Sequence, residues 1–135
     1  MKLTDITPNL VVEDIERSTA FYRDVLGFSV VTSVPEQPPF VFVWLQRNDV
    51  KVFLNAASAV KDDLPEVAAR PLGGTNTMFI TLDAESLELG IDALFRSVQQ
   101  AARVVMPLKD QFYGMREFGI ADPDGYVLFF AQRLG

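Results

Sequence analysis

Histidine and cysteine are both absent from the 135 residues. Their absence removes the commonest general base, the commonest nitrogen ligand for transition metals, and every thiol-based chemistry. Proton transfer then falls to Asp, Glu, Lys or Tyr, and a metal would need carboxylates, carbonyls and water alone. The segment Tyr113-Gly114-Met115-Arg116-Glu117 offers such groups together. Glu117 and Tyr113 are candidate proton-transfer groups, and Arg116 is a candidate anion clamp. Successive residues of a regular strand point to opposite faces, so Arg116 and Glu117 cannot both enter one cleft. A surface ion pair is the commoner use of such neighbours. The other chemistry on offer is apolar contact, with eleven Phe, three Tyr and one Trp in the chain.

Charge and composition narrow the partners. The net charge is −6, from 12 Lys and Arg against 18 Asp and Glu, and the basic residues are scattered. Nucleic-acid binding needs a basic stripe and is not expected. A cationic ligand is favoured by the overall field. Hydrophobic residues make up 49% and charged residues 22%, enough for one domain spanning 1–135 with a sizeable core. No apolar run reaches the roughly 20 residues of a membrane span, and the Met1-Lys2-Leu3-Thr4-Asp5 start lacks a signal-peptide stretch, so a cytoplasmic protein is expected.

The elements that must position these groups can be read from periodicity and turn residues. Residues 6–12 read as a strand, and Asp14 is placed to cap a helix whose apolar face is Ile15, Ala20, Phe21, Val25 and Leu26, ended by Gly27. Strands are expected over 28–34, 40–46 and 50–55, the last two joined by the hairpin signal Arg47-Asn48-Asp49. Residues 56–74 carry two prolines and Gly73-Gly74 and read as a linker, with a helical turn around 64–69. The order then repeats: a strand over 75–82, a helix over 84–102 with an internal Gly90, a strand over 104–108, and a hairpin of 116–121 and 126–132 around Asp122-Pro123-Asp124-Gly125. The fold class is therefore α+β, built from two βαβββ repeats (about 5–57 and 75–134, with a linker at about 58–74); that their curved sheets form an open, barrel-like cleft is what the family resemblance of two segments implies.

Two segments carry a family likeness. Thr7-Pro8-Asn9-Leu10-Val11-Val12-Glu13-Asp14, continuing into Ser18-Thr19-Ala20-Phe21-Tyr22-Arg23-Asp24-Val25-Leu26-Gly27-Phe28, resembles the opening of the vicinal oxygen chelate superfamily, the group of glyoxalases, bleomycin resistance proteins and extradiol dioxygenases. Tyr113-Gly114-Met115-Arg116-Glu117-Phe118-Gly119-Ile120-Ala121-Asp122-Pro123-Asp124-Gly125-Tyr126 is similar to its final hairpin. Enzymes of that superfamily carry metal ligands, typically His or Gln on the first strand of a repeat and Glu on its last. By motif matching, the resemblance puts those positions at Thr7, Phe53, Thr77 and Phe129. A phenyl ring cannot coordinate a cation, and a neutral hydroxyl is a poor ligand without carboxylates. No metal and no cofactor are expected.

The same positions predict a pocket of different character. If Arg47 pairs with Val50, then Trp44 lies opposite Phe53; if Ala121 pairs with Tyr126, then Phe118 lies opposite Phe129 and Arg116 opposite Ala131. Trp44, Phe53, Phe118 and Phe129 would then line a common surface, with Phe42 and Asn55 one step further and Phe112, Tyr113 and Met115 at a rim. The candidate ligand-binding residues are Phe42, Trp44, Phe53, Tyr113, Arg116, Phe118 and Phe129, with no catalytic residue among them. Core filling accounts equally well for single rings such as Phe53 and Phe129.

The likeness is nearest to bleomycin-binding proteins, through Thr7-Pro8-Asn9-Leu10, Ser18-Thr19-Ala20-Phe21-Tyr22 and Leu45-Gln46-Arg47-Asn48-Asp49. It implies a homodimer that sequesters an aromatic or cationic small organic molecule, such as an antibiotic or metabolite, without transforming it. The alternatives are a lyase- or isomerase-type enzyme with an atypical site, and an interaction module in which only dimerisation matters.

Overall fold

Asp14 opens the first helix as expected: its Oδ1 accepts from the Arg17 backbone N–H at 3.1 Å. In the computed structural model, which describes residues 1–135, the first unit runs Met1–Leu72 and the second Gly73–Gly135. Strand β1 (Asn9–Val12) leads into α1 (Ile15–Ala20), which loosens into a π-helical turn over Phe21–Val25. Gly27 ends it at φ +73°, and the Phe28 N–H reaches back to the Tyr22 carbonyl at 2.9 Å. Arg47 donates to the carbonyl of Leu26 at 2.7 Å, so the end of the helix is tied to a strand as well as capped by glycine.

Strands β2 (Ser29–Val34), β3 (Phe42–Arg47) and β4 (Val50–Ala56) complete a four-stranded sheet in the order β1-β4-β3-β2, with β1 parallel to β4 and the others antiparallel. Asn48, at φ +52°, and Asp49 form the two-residue turn that pairs Arg47 with Val50. Strand alternation sends Leu10, Val12, Val43, Leu45, Val52 and Leu54 into the core of this unit, where each is at least 97% buried.

The stretch expected as a linker is more ordered than its prolines imply. Helix α2 (Ala57–Asp63) follows β4 directly, and α3 (Pro65–Ala68) starts with proline at its first turn. Ala57-Ser58-Ala59-Val60-Lys61-Asp62-Asp63 contains no glycine or proline, so nothing prevents a helix until Pro65.

The second unit repeats the order with β5 (Thr77–Thr81), a π-helical turn over Glu88–Asp92 running into α4 (Ala93–Val98), β6 (Arg103–Asp110), β7 (Met115–Ala121) and β8 (Val127–Arg133). Its sheet order, β5-β8-β7-β6, matches that of the first unit, with β5 parallel to β8. The helical segment is shorter than expected from 84–102. Ser86 Oγ accepts from the Leu89 N–H at 3.1 Å, which places the effective start near Ser86. The core packs Ile91, Val98, Phe118, Ile120, Leu128 and Phe130, with Phe118 between Phe95 and Phe130 at ring-centroid distances of 5.1 and 5.3 Å.

Gly90 has a tertiary reason. A Cβ there would lie 2.2 Å from Gln132 Oε1 and 2.7 Å from Ala84 Cβ, while that same oxygen accepts from the Ile91 N–H at 2.9 Å. Gly90→Ala is expected to break this contact and lower the unfolding free energy by about 1–3 kcal/mol, through overpacking and a lost buried hydrogen bond. Urea denaturation measures it; an unchanged midpoint would contradict the close approach.

Candidate functional site

On the first sheet the side chains opposite the core belong to alternate residues of three strands. Trp44 pairs with Phe53 and Phe42 with Asn55, the arrangement expected from the hairpin, while Phe53 also faces Asn9 across the parallel pair. The Phe53 ring stands edge-on to both neighbours, at 5.8 Å from Trp44 and 5.2 Å from Phe42. All three rings are half-buried. Asn55 donates its amide to Asn9 Oδ1 at 2.6 Å and to the Leu10 carbonyl at 3.2 Å, so the polar edge of this face is locked to β1. The indole Nε1 of Trp44 is buried and has no hydrogen-bond partner. An orphaned buried N–H costs about 1–3 kcal/mol, so this donor is an unfilled demand within an otherwise apolar surface.

The second sheet corrects the expected register by one residue. Ala121 pairs with Val127, not Tyr126, because the Asp122 N–H donates to the Tyr126 carbonyl at 2.8 Å and makes those two residues the closing pair of the turn. Asp122 Oδ1 also accepts from the N–H groups of Asp124 and Tyr126, at 2.9 and 3.0 Å. Since side chains alternate with period two, the slip exchanges partners: Phe118 faces Phe130, Arg116 faces Gln132, and Phe129 faces Gly119.

Phe118 is consequently fully buried against α4 and leaves the candidate surface. Arg116 leaves it too. Its guanidinium bonds Asp92 through Nη1 at 3.1 Å and Asp110 through Nε at 2.6 Å and Nη2 at 3.2 Å. These pairs hold Asp110 below the usual carboxylate range and raise the Arg116 pKa further above its already high value. An anion clamp needs a free guanidinium, and this one is committed to two carboxylates.

The opposite face of the second sheet carries Glu117, Gly119, Phe129 and Ala131, with Phe79 across from Phe129 on β5. A Cβ on Gly119 would meet the Phe129 ring at 2.8 Å, so the missing side chain is what lets that ring approach the strand so closely. Glu117 is 96% buried. Tyr113 donates its hydroxyl to Glu117 Oε1 at 2.5 Å, and Gln111 Nε2 donates to the same oxygen at 3.2 Å. Glu117 Oε2 is buried and has no partner. The carboxylate is the first cause of a raised Tyr113 pKa, with desolvation adding to it.

Of the seven candidate residues, Phe42, Trp44 and Phe53 meet on one face of the first sheet, and Phe129 and Tyr113 lie on one side of the second. Gln111 and Phe79 were missed. Phe79 follows from the parallel register of β5 on β8, whereas nothing in local sequence brings Gln111 onto Glu117.

The metal question can be put to the side chains. The strand registers put Asn9, not Thr7, beside Phe53 and Phe79, not Thr77, beside Phe129, and no group of three or more His, Asp or Glu converges anywhere. Rings and a lone amide do not make a divalent-cation site, so these positions do not fit the metal of the superfamily's enzymes.

The sequence model of the Glyoxalase/Bleomycin resistance protein/Dioxygenase superfamily matches residues 4–130. A bleomycin resistance protein from Geobacillus stearothermophilus is 30% identical over 135 residues, covering 94% of this chain and 95% of the relative. A glyoxalase/bleomycin resistance protein/dioxygenase from Nocardioides superposes with a TM-score of 0.77 at 20% identity, over 99% of this chain and 85% of the other. TioX from Micromonospora sp. ML1 does so with a TM-score of 0.72 at 20% identity, over 97% and 99%. At that identity the two structures speak for the fold alone.

The Tyr113–Glu117 contact has a pH signature. The hydrogen bond stabilises the protonated phenol, so its contribution is complete below the usual tyrosine value of 10.0 and is lost as pH rises through the raised one. Ultraviolet difference titration of wild type against Tyr113→Phe is expected to show this phenol ionising above 10.0, and Glu117→Gln to bring it back towards that value. Ionisation at the ordinary value in the wild type would refute the contact.

Proposed function

We propose that this chain, which belongs to the glyoxalase/bleomycin resistance protein/dioxygenase superfamily, binds and sequesters a small organic molecule with aromatic and cationic character. The observation that carries the reading is the Phe42–Trp44–Phe53 face with its buried, unpartnered indole N–H. Three rings set edge-on leave flat apolar area for a planar group, and the indole supplies one directional donor, the usual make-up of a small-molecule surface. The relatives named for bleomycin resistance supply the chemical class to try first. The net charge of −6 suits a cationic ligand.

Further parts of the same reading are that the chain acts as one domain of two repeats, as a homodimer, without metal, and in the cytoplasm. Support for the metal-free part is the chemistry of Phe53 and Phe129. Consistent with a protein outside the bilayer, no helix is long and apolar enough to cross a membrane.

A second reading, a lyase- or isomerase-type enzyme with an atypical site, draws on the Tyr113–Glu117 contact of 2.5 Å. It is the weaker one. Arg116, which would have held a substrate anion, is bound to Asp92 and Asp110, and the raised pKa of Tyr113 makes its phenolate scarce at neutral pH.

The single tryptophan makes the first reading directly measurable. Titration with bleomycin, then with a panel of cationic aromatic compounds, is expected to change Trp44 emission saturably. The melting temperature should rise together with occupancy. Phe53→Ala is expected to weaken that binding by about two- to tenfold, the equivalent of one lost aromatic pair. No change in emission or melting temperature with any compound at millimolar concentration would sink the reading.

A further inference from the structure

In the second unit, Glu117 is the residue that holds a buried side-chain oxygen without a hydrogen-bond partner. A carboxylate that is 96% buried normally has a cation or a set of donors on both oxygens, since an uncompensated buried charge costs several kcal/mol. Here Oε1 takes both donors, the Tyr113 hydroxyl and the Gln111 amide, and Oε2 takes none. Both donors are neutral. The charged groups nearest in the sheet do not help. Lys109, the cross-strand neighbour of Glu117, is exposed and makes no ion pair with it, and Arg116 points to the other face, where Asp92 and Asp110 hold it.

The surroundings of Glu117 are otherwise apolar or thinly built. Gly119 and Ala131 are its neighbours on the same face, and the Phe129 ring lies across Gly119. Gln111 Nε2 also touches Met106 Sδ at 3.7 Å. The cover is a short turn, closed by hydrogen bonds from Gln111 N to Met115 O (2.7 Å) and from Gly114 N to Gln111 O (3.1 Å). On that turn Phe112 is 98% exposed, Tyr113 is half-exposed with its hydroxyl turned in to Glu117, and nothing packs beside Gly114. The acceptor is buried, and a ligand that displaces this small exposed turn would reach it.

We propose that Glu117 is a recognition residue, its Oε2 receiving a protonated nitrogen, of the amidinium or ammonium class, from an organic ligand. Tyr113 and Gln111 are positioning residues: by occupying Oε1 they turn the remaining oxygen to the ligand. A cation is selected over a neutral donor because only a cation offsets the buried charge as well as filling the acceptor. The assignment rests on the reading that the chain holds a small organic molecule of cationic character, and adds the group that recognises its charge.

Benzamidine and benzamide, which share a phenyl ring and differ in charge, provide the test. Each is titrated into the full chain, with the carboxyl carbons of isotope-labelled glutamate followed by nuclear magnetic resonance. Wild type is expected to prefer benzamidine by about tenfold, the difference between a charge-assisted and a neutral hydrogen bond, and to shift the Glu117 signal. Glu117→Gln is expected to abolish the preference with equal or greater thermal stability, since it removes an uncompensated charge. Absence of benzamidine binding, equal affinity for the two compounds, or a preference that survives in Glu117→Gln would overturn the proposal. Should that variant fail to fold, Glu117→Asp replaces it: the withdrawn carboxylate is expected to weaken benzamidine binding by about threefold or more, and unchanged affinity overturns the assignment. The outcome is separable from that of the broader reading. A Glu117-dependent benzamidine preference with no response of Trp44 to any compound would remove the aromatic face as the binding surface and leave Glu117 standing. The converse removes Glu117 alone.

Discussion

The backbone hydrogen bond from Asp122 to the Tyr126 carbonyl closes the turn between β7 and β8, and the faces of both strands depend on it. With Asp122 and Tyr126 as the closing pair, Ala121 meets Val127, and every residue along the hairpin inherits its side from that pairing. Phe118, Ile120, Leu128 and Phe130 are sent to the helix, where they fill the core. Glu117, Gly119 and Phe129 are sent the other way. A turn longer or shorter by one residue would place a carboxylate in the core and a phenyl ring on the surface. The carboxylate of Asp122, itself 95% buried, accepts from two further backbone N–H groups and holds the choice in place.

The two sheets share a strand order and differ in what they present. The first offers three rings and one orphaned indole donor; the second offers one orphaned carboxylate oxygen beside a ring laid over glycine. Each unmet polar atom is a cost to the folded chain that a complementary group would relieve. The two are also of opposite kind, one donor and one acceptor. Apolar area can be explained by core filling, whereas an unpaired buried polar atom asks for a partner. For this reason the functional reading leans on Trp44 and Glu117 more than on the number of aromatic residues.

Much of the fold was legible in the chain because its signals are local. Asp14 caps the first helix, Gly27 ends it, and Asn48-Asp49 closes the first hairpin, each through bonds made within a few residues. That hairpin also placed Trp44 opposite Phe53, because a two-residue turn leaves only one register. The Asp-Pro-Asp-Gly turn is as legible, but it is one residue tighter than its motif suggests, since its closing pair uses the backbone of Asp122 itself. From that single step came the misplacement of Phe118 and Arg116. Helix α2 was hidden by the prolines that follow it.

By itself, the sequence determined that there is no imidazole or thiol to do chemistry and that the chain repeats a βαβββ unit. Composition and short-range pattern suffice for each of these. Only the tertiary structure decided that Arg116 is spent on Asp92 and Asp110, that Gly90 exists to admit Gln132, and that Glu117 is clamped through one buried oxygen and without a partner on the other. Those are contacts between residues brought together by strand register and helix packing. Their free energies depend on burial, and a linear chain carries no measure of burial until its elements have closed on one another.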